Sequence, residues 1–292
     1  MQNINYSSFI GVCLFWVLAT SSCKKNRATQ LPFGSTPSAA VLSTIIKEAS
    51  GIADSKVNTG MLWVQEDGGN NTQLYLINRA AQLNKKIFLK NSINRDWEDI
   101  AISTGPVAGK NYIYLADIGD NNAAYSTACF YRFEEPDQTK DTITTIDKIE
   151  FVYSDGARDA EAFLVDEATK DIFIITKRDT KSLVYKLAYP QSTSTINTAI
   201  LVTTLAYNGV VSAAINTSGT EMIIKTYTNL YYYKKAANIA IDKALQTNYT
   251  LLSYQQEPQG EAISFANDNT GFFTLSEQFG SIPQQLYFYN RQ

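Results

Sequence analysis

The chain has 292 residues and a net charge of −3 from 25 basic and 28 acidic residues, and it contains no histidine. That absence excludes Ser-His-Asp and Cys-His triads and every His-ligated metal site, leaving carboxylates, Lys, Arg, Tyr or an oxygen-held hard cation for any chemistry. The basic residues are dispersed, so no nucleic-acid footprint is expected.

In chain order, residues 1–22 read as a targeting segment. The apolar run over residues 9–19 is too short to span a bilayer as a mature helix. It leads into Thr20-Ser21-Ser22-Cys23, which resembles the lipobox of bacterial lipoproteins. The resemblance implies acylation of Cys23 and a lipid anchor in the cell envelope. Lys24, where Asp would hold such a protein at the inner membrane, implies the outer membrane. The alternative is an ordinary secretory signal with an incidental cysteine. Residues 23–40, rich in Lys, Asn, Thr, Ser, Pro and Gly, are expected to be a flexible tether. Residues 41–292 are long enough for one large core. Cys129, the one cysteine in that body, is expected to be a buried small hydrophobe without a disulfide partner.

The body is all β. Short runs rich in Ile, Val, Tyr, Phe and Thr, bounded by Gly, Asn, Asp and Pro, predict four strands in each of four units. The second unit, for example, has strands at 99–103, 112–117, 129–133 and 148–153. A short helical insertion is expected within 238–246. The last unit has only three strands, at 262–266, 272–276 and 286–289. The segment 41–46 is expected to close it as the outer strand, protecting the sheet edges. The expectation is a β-propeller of five four-stranded antiparallel blades, or six if the connection 134–147 or 235–250 hides another.

A short phrase repeats once per blade: Ser50-Gly51-Ile52-Ala53, Asp96-Trp97-Glu98-Asp99-Ile100-Ala101, Asp159-Ala160-Glu161-Ala162-Phe163, Ser212-Ala213-Ala214-Ile215 and Gly260-Glu261-Ala262-Ile263. Its apolar positions Ile52, Ile100, Phe163, Ile215 and Ile263 lie about 48, 63, 52 and 48 residues apart, a propeller's period. In a propeller the start of each first strand and the end of each second strand open on one face. That gathers Asp96, Glu98, Asp99, Asp159, Glu161 and Glu261 with Glu66, Asp67, Asp117, Asp120, Lys177, Arg178, Lys225 and Glu277 around one mouth. Crowded carboxylates repel, so a cation, the basic residues or raised pKa values must relieve them. Ca²⁺ suits many oxygen ligands in loose geometry. Capping of turns is the plain alternative for any single acid. The loop Asp117-Ile118-Gly119-Asp120-Asn121-Asn122 is either a partial cation loop or ordinary turn chemistry. Lys177 and Arg178 either hold an anionic ligand or complete a salt-bridge ring. Most tyrosines, as in Tyr231-Tyr232-Tyr233, are expected to pack blades.

These phrases, with Leu275-Ser276-Glu277 and Leu286-Tyr287-Phe288-Tyr289 near the end, resemble those of bacterial propellers of the SdiA-regulated and phytase-like (esterase-like) groups, over about Ser50 to Tyr289. The resemblance implies calcium at the channel mouth, with Glu98, Glu161 and Glu261 as the matching ligands, then Glu277; Asp120 joins this set from its loop. Blades one and four carry no Glu in the phrase, and Ala162 stands where Gly is common. Two functions follow. One is an envelope-anchored, monomeric binding propeller that holds the cation and a small-molecule or cell-surface ligand, anionic ligands included, and meets the membrane only through its anchor. The other is a Ca²⁺-dependent hydrolase of phosphoester or lactone substrates, with Asp99 or Asp117 as base and Lys177 and Arg178 steadying the anion.

Overall fold

Runs of β-branched and aromatic residues become strands throughout the body, in five consecutive meanders. The computed structural model describes residues 1–3 and 31–292; Cys23 and most of the leader lie outside the described residues. The first blade is β2 (Ala49–Asp54), β3 (Met61–Glu66), β4 (Gln73–Asn78) and β5 (Leu83–Leu89). The second is β6 (Trp97–Thr104), β7 (Asn111–Asp117), β8 (Ala128–Glu134) and β10 (Asp147–Tyr153). The third is β11 (Ala160–Val165), β12 (Ile172–Thr176), β13 (Leu183–Leu187) and β14 (Asn197–Thr204), and the fourth is β15 (Val210–Ile215), β16 (Glu221–Thr226), β17 (Leu230–Lys234) and β18 (Thr250–Leu252). The fifth is β19 (Ala262–Phe265), β20 (Gly271–Leu275) and β21 (Gln285–Asn290), completed by β1 (Ser38–Val41) from the other end of the body.

Pairing within each blade is antiparallel, and the innermost strands pack β2 on β6, β6 on β11, β11 on β15, β15 on β19, and β19 back on β2. The ring closes, and the fold is a β-propeller. Inner strands such as β2 and β11 are buried along their whole length, whereas the outer strand β14 is mostly open to solvent. Strand alternation sends successive side chains to opposite seams. Leu62 and Val64 face the seam with the fifth blade, and Trp63 between them faces the second. Ile172 and Ile174 likewise face the second blade while Phe173 and Ile175 face the fourth. Five apolar clusters among the described residues thus fill the five seams.

Two expectations about the N-terminal side are corrected. The closing strand is Ser38–Val41, paired from Ser38↔Phe288 to Val41↔Gln285, and not 41–46. Leu42 and Ile46 instead leave the sheet and are buried in the seam between the fifth and first blades. The propeller also begins before residue 41. Phe33 is buried, edge-on to Tyr232 at 5.9 Å and to Phe272 at 4.9 Å, so residues expected to lie in the tether belong to the packed body. The long connections hold no further blade among the described residues. The first carries the two-residue β9 (Thr142–Ile143), parallel to β5, and the second the one-turn α1 (Ile241–Ala244), within the expected insertion. No helix of the described residues is long and apolar enough to cross a membrane.

Candidate functional site

The repeated phrase marks a repeated backbone irregularity. Register breaks between Ala49 and Gly51, Trp97 and Asp99, Ala160 and Ala162, and Val210 and Ser212. Each break inserts one extra residue, namely Ser50, Glu98, Glu161 and Val211. A bulge of this kind re-aims the inserted side chain. In the fifth blade Glu261 directly precedes β19. The fourth blade corrects the sequence alignment: Ala213, not Ile215, takes the place of Ile52, Ile100, Phe163 and Ile263, and an apolar Val211 stands at the mouth position.

Six carboxylates meet at this mouth, in two groups. On the side of the first two blades, one oxygen each from Asp67, Asp96 and Glu98 lies within 4.8 Å of the others. Two glycines make room for them. A Cβ on Gly68 would stand 2.3 Å from Asp96 Oδ1, and one on Gly119 would stand 2.1 Å from Glu98 Oε1 and 2.5 Å from Asp96 Oδ2. Asp67 accepts the Gly68 N–H at 2.6 Å. Glu98 is 5% exposed, and among the described residues no hydrogen-bond donor reaches its carboxylate. Burial, then Glu161, Asp67 and Asp96, push its pKa well above the usual carboxylate range. Burial likewise pushes Asp67 up to about 6, against the Gly68 hydrogen bond.

On the side of the other three blades one ammonium meets part of the charge. Lys177 donates to Glu161, lies 3.2 Å from the Tyr227 hydroxyl and 4.0 Å from Glu261 Oε1, and Tyr227 donates to Glu261. Gln259 Nε2 donates to Glu277 at 3.0 Å, and the Glu277 carboxyl abuts that of Glu261. Burial pushes Glu161 up to about 8, partly offset by Lys177. Burial and Glu261 push Glu277 to about 8. Burial disfavours the Lys177 ammonium, but Glu161 and Glu261 outweigh it and raise its pKa.

The structure therefore brings Glu98, Glu161, Glu261 and Glu277 to one opening, with Lys177 among them, and places the other expected residues elsewhere. Asp99 lies beneath the mouth, 1% exposed, accepting Ile100 N–H at 2.9 Å, the Ser212 hydroxyl at 3.2 Å and Ala213 N–H at 3.4 Å. It staples the second blade to the fourth across the axis and is out of reach of a ligand. Asp117 is also buried and accepts the Asp96 N–H at 2.9 Å, which fixes Asp96 rather than a substrate. Asp120 caps its own loop, accepting Ala124 and Tyr125 N–H groups at 2.8 Å each. Arg178 is a half-exposed rim residue 2.6 Å from Asp159 Oδ2 and in contact with Asn121. Lys225 is fully buried against Glu257 at 2.7 Å, away from solvent. Cys129 is buried and free.

Tyr227 and Glu257 were not anticipated, and Asp67 and Asp96 were seen only as part of the wider ring. One signal was available: Asp67, Lys177 and Tyr227 each follow the last residue of their blade's second strand, and Gly68 and Gly119 each come one residue later. The Asp67–Asp96–Glu98 group fits a hard divalent cation. Its donors are carboxylate oxygens lying no farther apart than two Ca–O distances of ~2.4 Å, and the buried Glu98 carboxylate has no hydrogen-bond donor among the described residues.

No protein-family model matches the chain, and no curated protein does. Among solved structures, hydrazine synthase of Kuenenia stuttgartiensis aligns with a TM-score of 0.41 at 10% identity, over 83% of this chain and 59% of that one. This chain thus matches less than two thirds of that structure.

Proposed function

We propose that the protein is an envelope-anchored binding propeller that holds a divalent cation, calcium by preference, on Asp67, Asp96 and Glu98, and presents it to a ligand at the channel mouth. The observation carrying this reading is the buried, donorless Glu98 carboxylate aimed at two further carboxylates within 4.8 Å. An uncompensated buried charge is costly, and a bound cation removes that cost. Calcium suits the site because it takes several oxygens in flexible geometry, whereas magnesium demands a near-ideal octahedron. Glu161, Glu261 and Glu277 border the same opening, and the Lys177 ammonium, bonded to Glu161 and Tyr227, keeps a third N–H for an anionic ligand group. The Glu-Ala phrases support kinship with the SdiA-regulated and phytase-like propellers.

Binding is preferred to hydrolysis because Asp99 and Asp117, the expected bases, are both buried and committed to backbone donors. A panel of phosphoesters and lactones, assayed with and without Ca²⁺, tests the choice: no Ca²⁺-dependent turnover is expected. Turnover lost in Glu161→Gln would establish the hydrolase instead. Anchoring through Cys23 belongs to the same proposal, and metabolic labelling with palmitate, lost in Cys23→Ser, checks it.

A further inference from the structure

The first blade carries Ser50-Gly51 where the second and third carry Glu98-Asp99 and Glu161-Ala162. Ser50 adds no charge to the mouth, yet it sits on the same bulge as those glutamates. It is 1% exposed, and its hydroxyl donates to the Glu98 carbonyl oxygen at 2.7 Å, which ties the first blade to the backbone of the second. Gly51 lets the two inner strands come that close. A Cβ there would stand 2.9 Å from the Ile100 backbone nitrogen and 3.0 Å from Ile100 Cγ2, so any side chain would push the strands apart.

Asn94, in the connection from β5 to β6, makes a second tie in the reverse direction. Its amide donates to the Asp67 carbonyl oxygen at 2.8 Å and to that of Glu66 at 3.3 Å, and its Oδ1 accepts the Trp97 N–H at 3.1 Å. One planar group thus spans the exit of β3 and the entry of β6. The remaining backbone groups of the two aspartates are held as well. Asp67 N–H donates to the Glu48 carbonyl at 2.8 Å, Asp96 N–H to Asp117 at 2.9 Å, and Gly119 N–H to the Asp96 carbonyl at 3.2 Å. Asp67 comes from one blade, Asp96 and Glu98 from the next, so their separation is set by what joins those blades. Ser50 and Asn94 each bond across that junction to the carbonyl oxygen of one of these acids.

We infer that Ser50, Gly51 and Asn94 are positioning residues that fix the separation of Asp67 from Asp96 and Glu98, and with it the size of the ion the three carboxylates accept. This rests on the cation reading of that cluster. Selectivity between calcium and magnesium follows cavity size, ligand number and flexibility, so a cluster held at calcium's spacing cannot contract around the smaller ion.

Competition calorimetry with Ca²⁺ and Mg²⁺ on the full chain, as wild type, Asn94→Ala and Ser50→Ala, tests it. Both variants should bind Ca²⁺ at least about tenfold more weakly, the scale of a lost group behind a metal ligand. Their ratio of Ca²⁺ to Mg²⁺ affinity should fall at least about threefold, because a loosened cluster can close on magnesium. Residues that only stabilise the fold would lower the melting temperature in EDTA and leave that ratio alone. Asn94 is a half-buried loop residue, so its variant should fold even where Ser50→Ala does not, and circular dichroism checks both. Gly51→Ala should repeat the effect by spreading the strands rather than by removing a bond. Calcium binding in the wild type with the ion ratio unchanged in Asn94→Ala would overturn the positioning role and leave the cation site standing. No calcium binding in the wild type would overturn the site, and the positioning role with it.

Discussion

Glu98 in the second blade and Glu161 in the third stand on equivalent bulges of equivalent strands, yet their surroundings differ in kind. Glu161 meets the Lys177 ammonium, with Tyr227 bridging to Glu261. Glu98 shares no ion pair or hydrogen bond with Lys177 among the described residues; it stands against Asp67 and Asp96, with Glu161 also acting on it, and two glycines clear the space around them. One half of the mouth carries its own ammonium group, and the other gathers carboxylates without one. The backbone device sets where the carboxylates go; the residue just after each second strand, Asp67 in one blade and Lys177 in another, sets what they do.

The largest effects should come from removing the internal ammonium groups. Lys177→Met and Lys225→Met each strip a buried carboxylate of its partner, at a cost of ~3–5 kcal/mol in the cation-free protein. The two should then part company. Lys177→Met adds an unpaired carboxylate to the mouth and should bind Ca²⁺ more tightly than the wild type, whereas Lys225→Met, whose partner Glu257 is sealed off, should bind it as the wild type does. Chemical denaturation at one fixed Ca²⁺ concentration checks this, because the tighter binder gains more stability; equal gains in both variants would erase the distinction between the sites.

Next in size is the dependence on pH. Glu161 and Glu277 are raised from 4.5 to about 8, and Asp67 from 3.8 to about 6. Groups raised on folding stabilise fully below their unfolded values, and that stability is lost as the pH climbs through the folded ones. In EDTA the melting temperature should therefore fall between pH 5 and pH 9, and saturating Ca²⁺ should flatten the fall. A melting temperature that rises over this window without Ca²⁺ would contradict the burial of these acids.

A smaller effect is expected from Gly119→Ala. Its Cβ would collide with Glu98 and Asp96, and overpacking strain of ~1–3 kcal/mol should weaken the cation about tenfold. The smallest is Asp120→Asn, a turn-capping change expected to leave Ca²⁺ affinity within about threefold while costing ~1 kcal/mol of stability. If calcium binding instead collapsed in Asp120→Asn, the loop and not the triad would hold the ion.

Much of the architecture was legible because inner strands bury both faces and outer strands do not, so apolar runs and turn residues alternate with a blade's period. Glu98, Glu161 and Glu261 could be placed together because one bulge recurs at one phase. Where the chemistry of that phase is plain, the pattern slips: Val210 and Val211 are both apolar, and the fourth phrase was set two residues late. The closing strand Ser38–Val41 was missed because main-chain pairing to β21 selects it, while Leu42 and Ile46 earn their apolar character in a seam. Asp99 and Asp117 read as catalytic from position alone. Their roles depend on donors at Ser212, Ala213 and Asp96, which only the ring brings near.

Isothermal titration with Ca²⁺ at pH 8, on the wild type and on Glu98→Gln, bears on the cation site most directly. One saturable site in the wild type, weakened at least about a hundredfold in a Glu98→Gln protein of unchanged fold, is the expected result, since the variant neutralises the most deeply buried of the three carboxylates. Silence in the wild type, or an isotherm that Glu98→Gln leaves untouched, would contradict it.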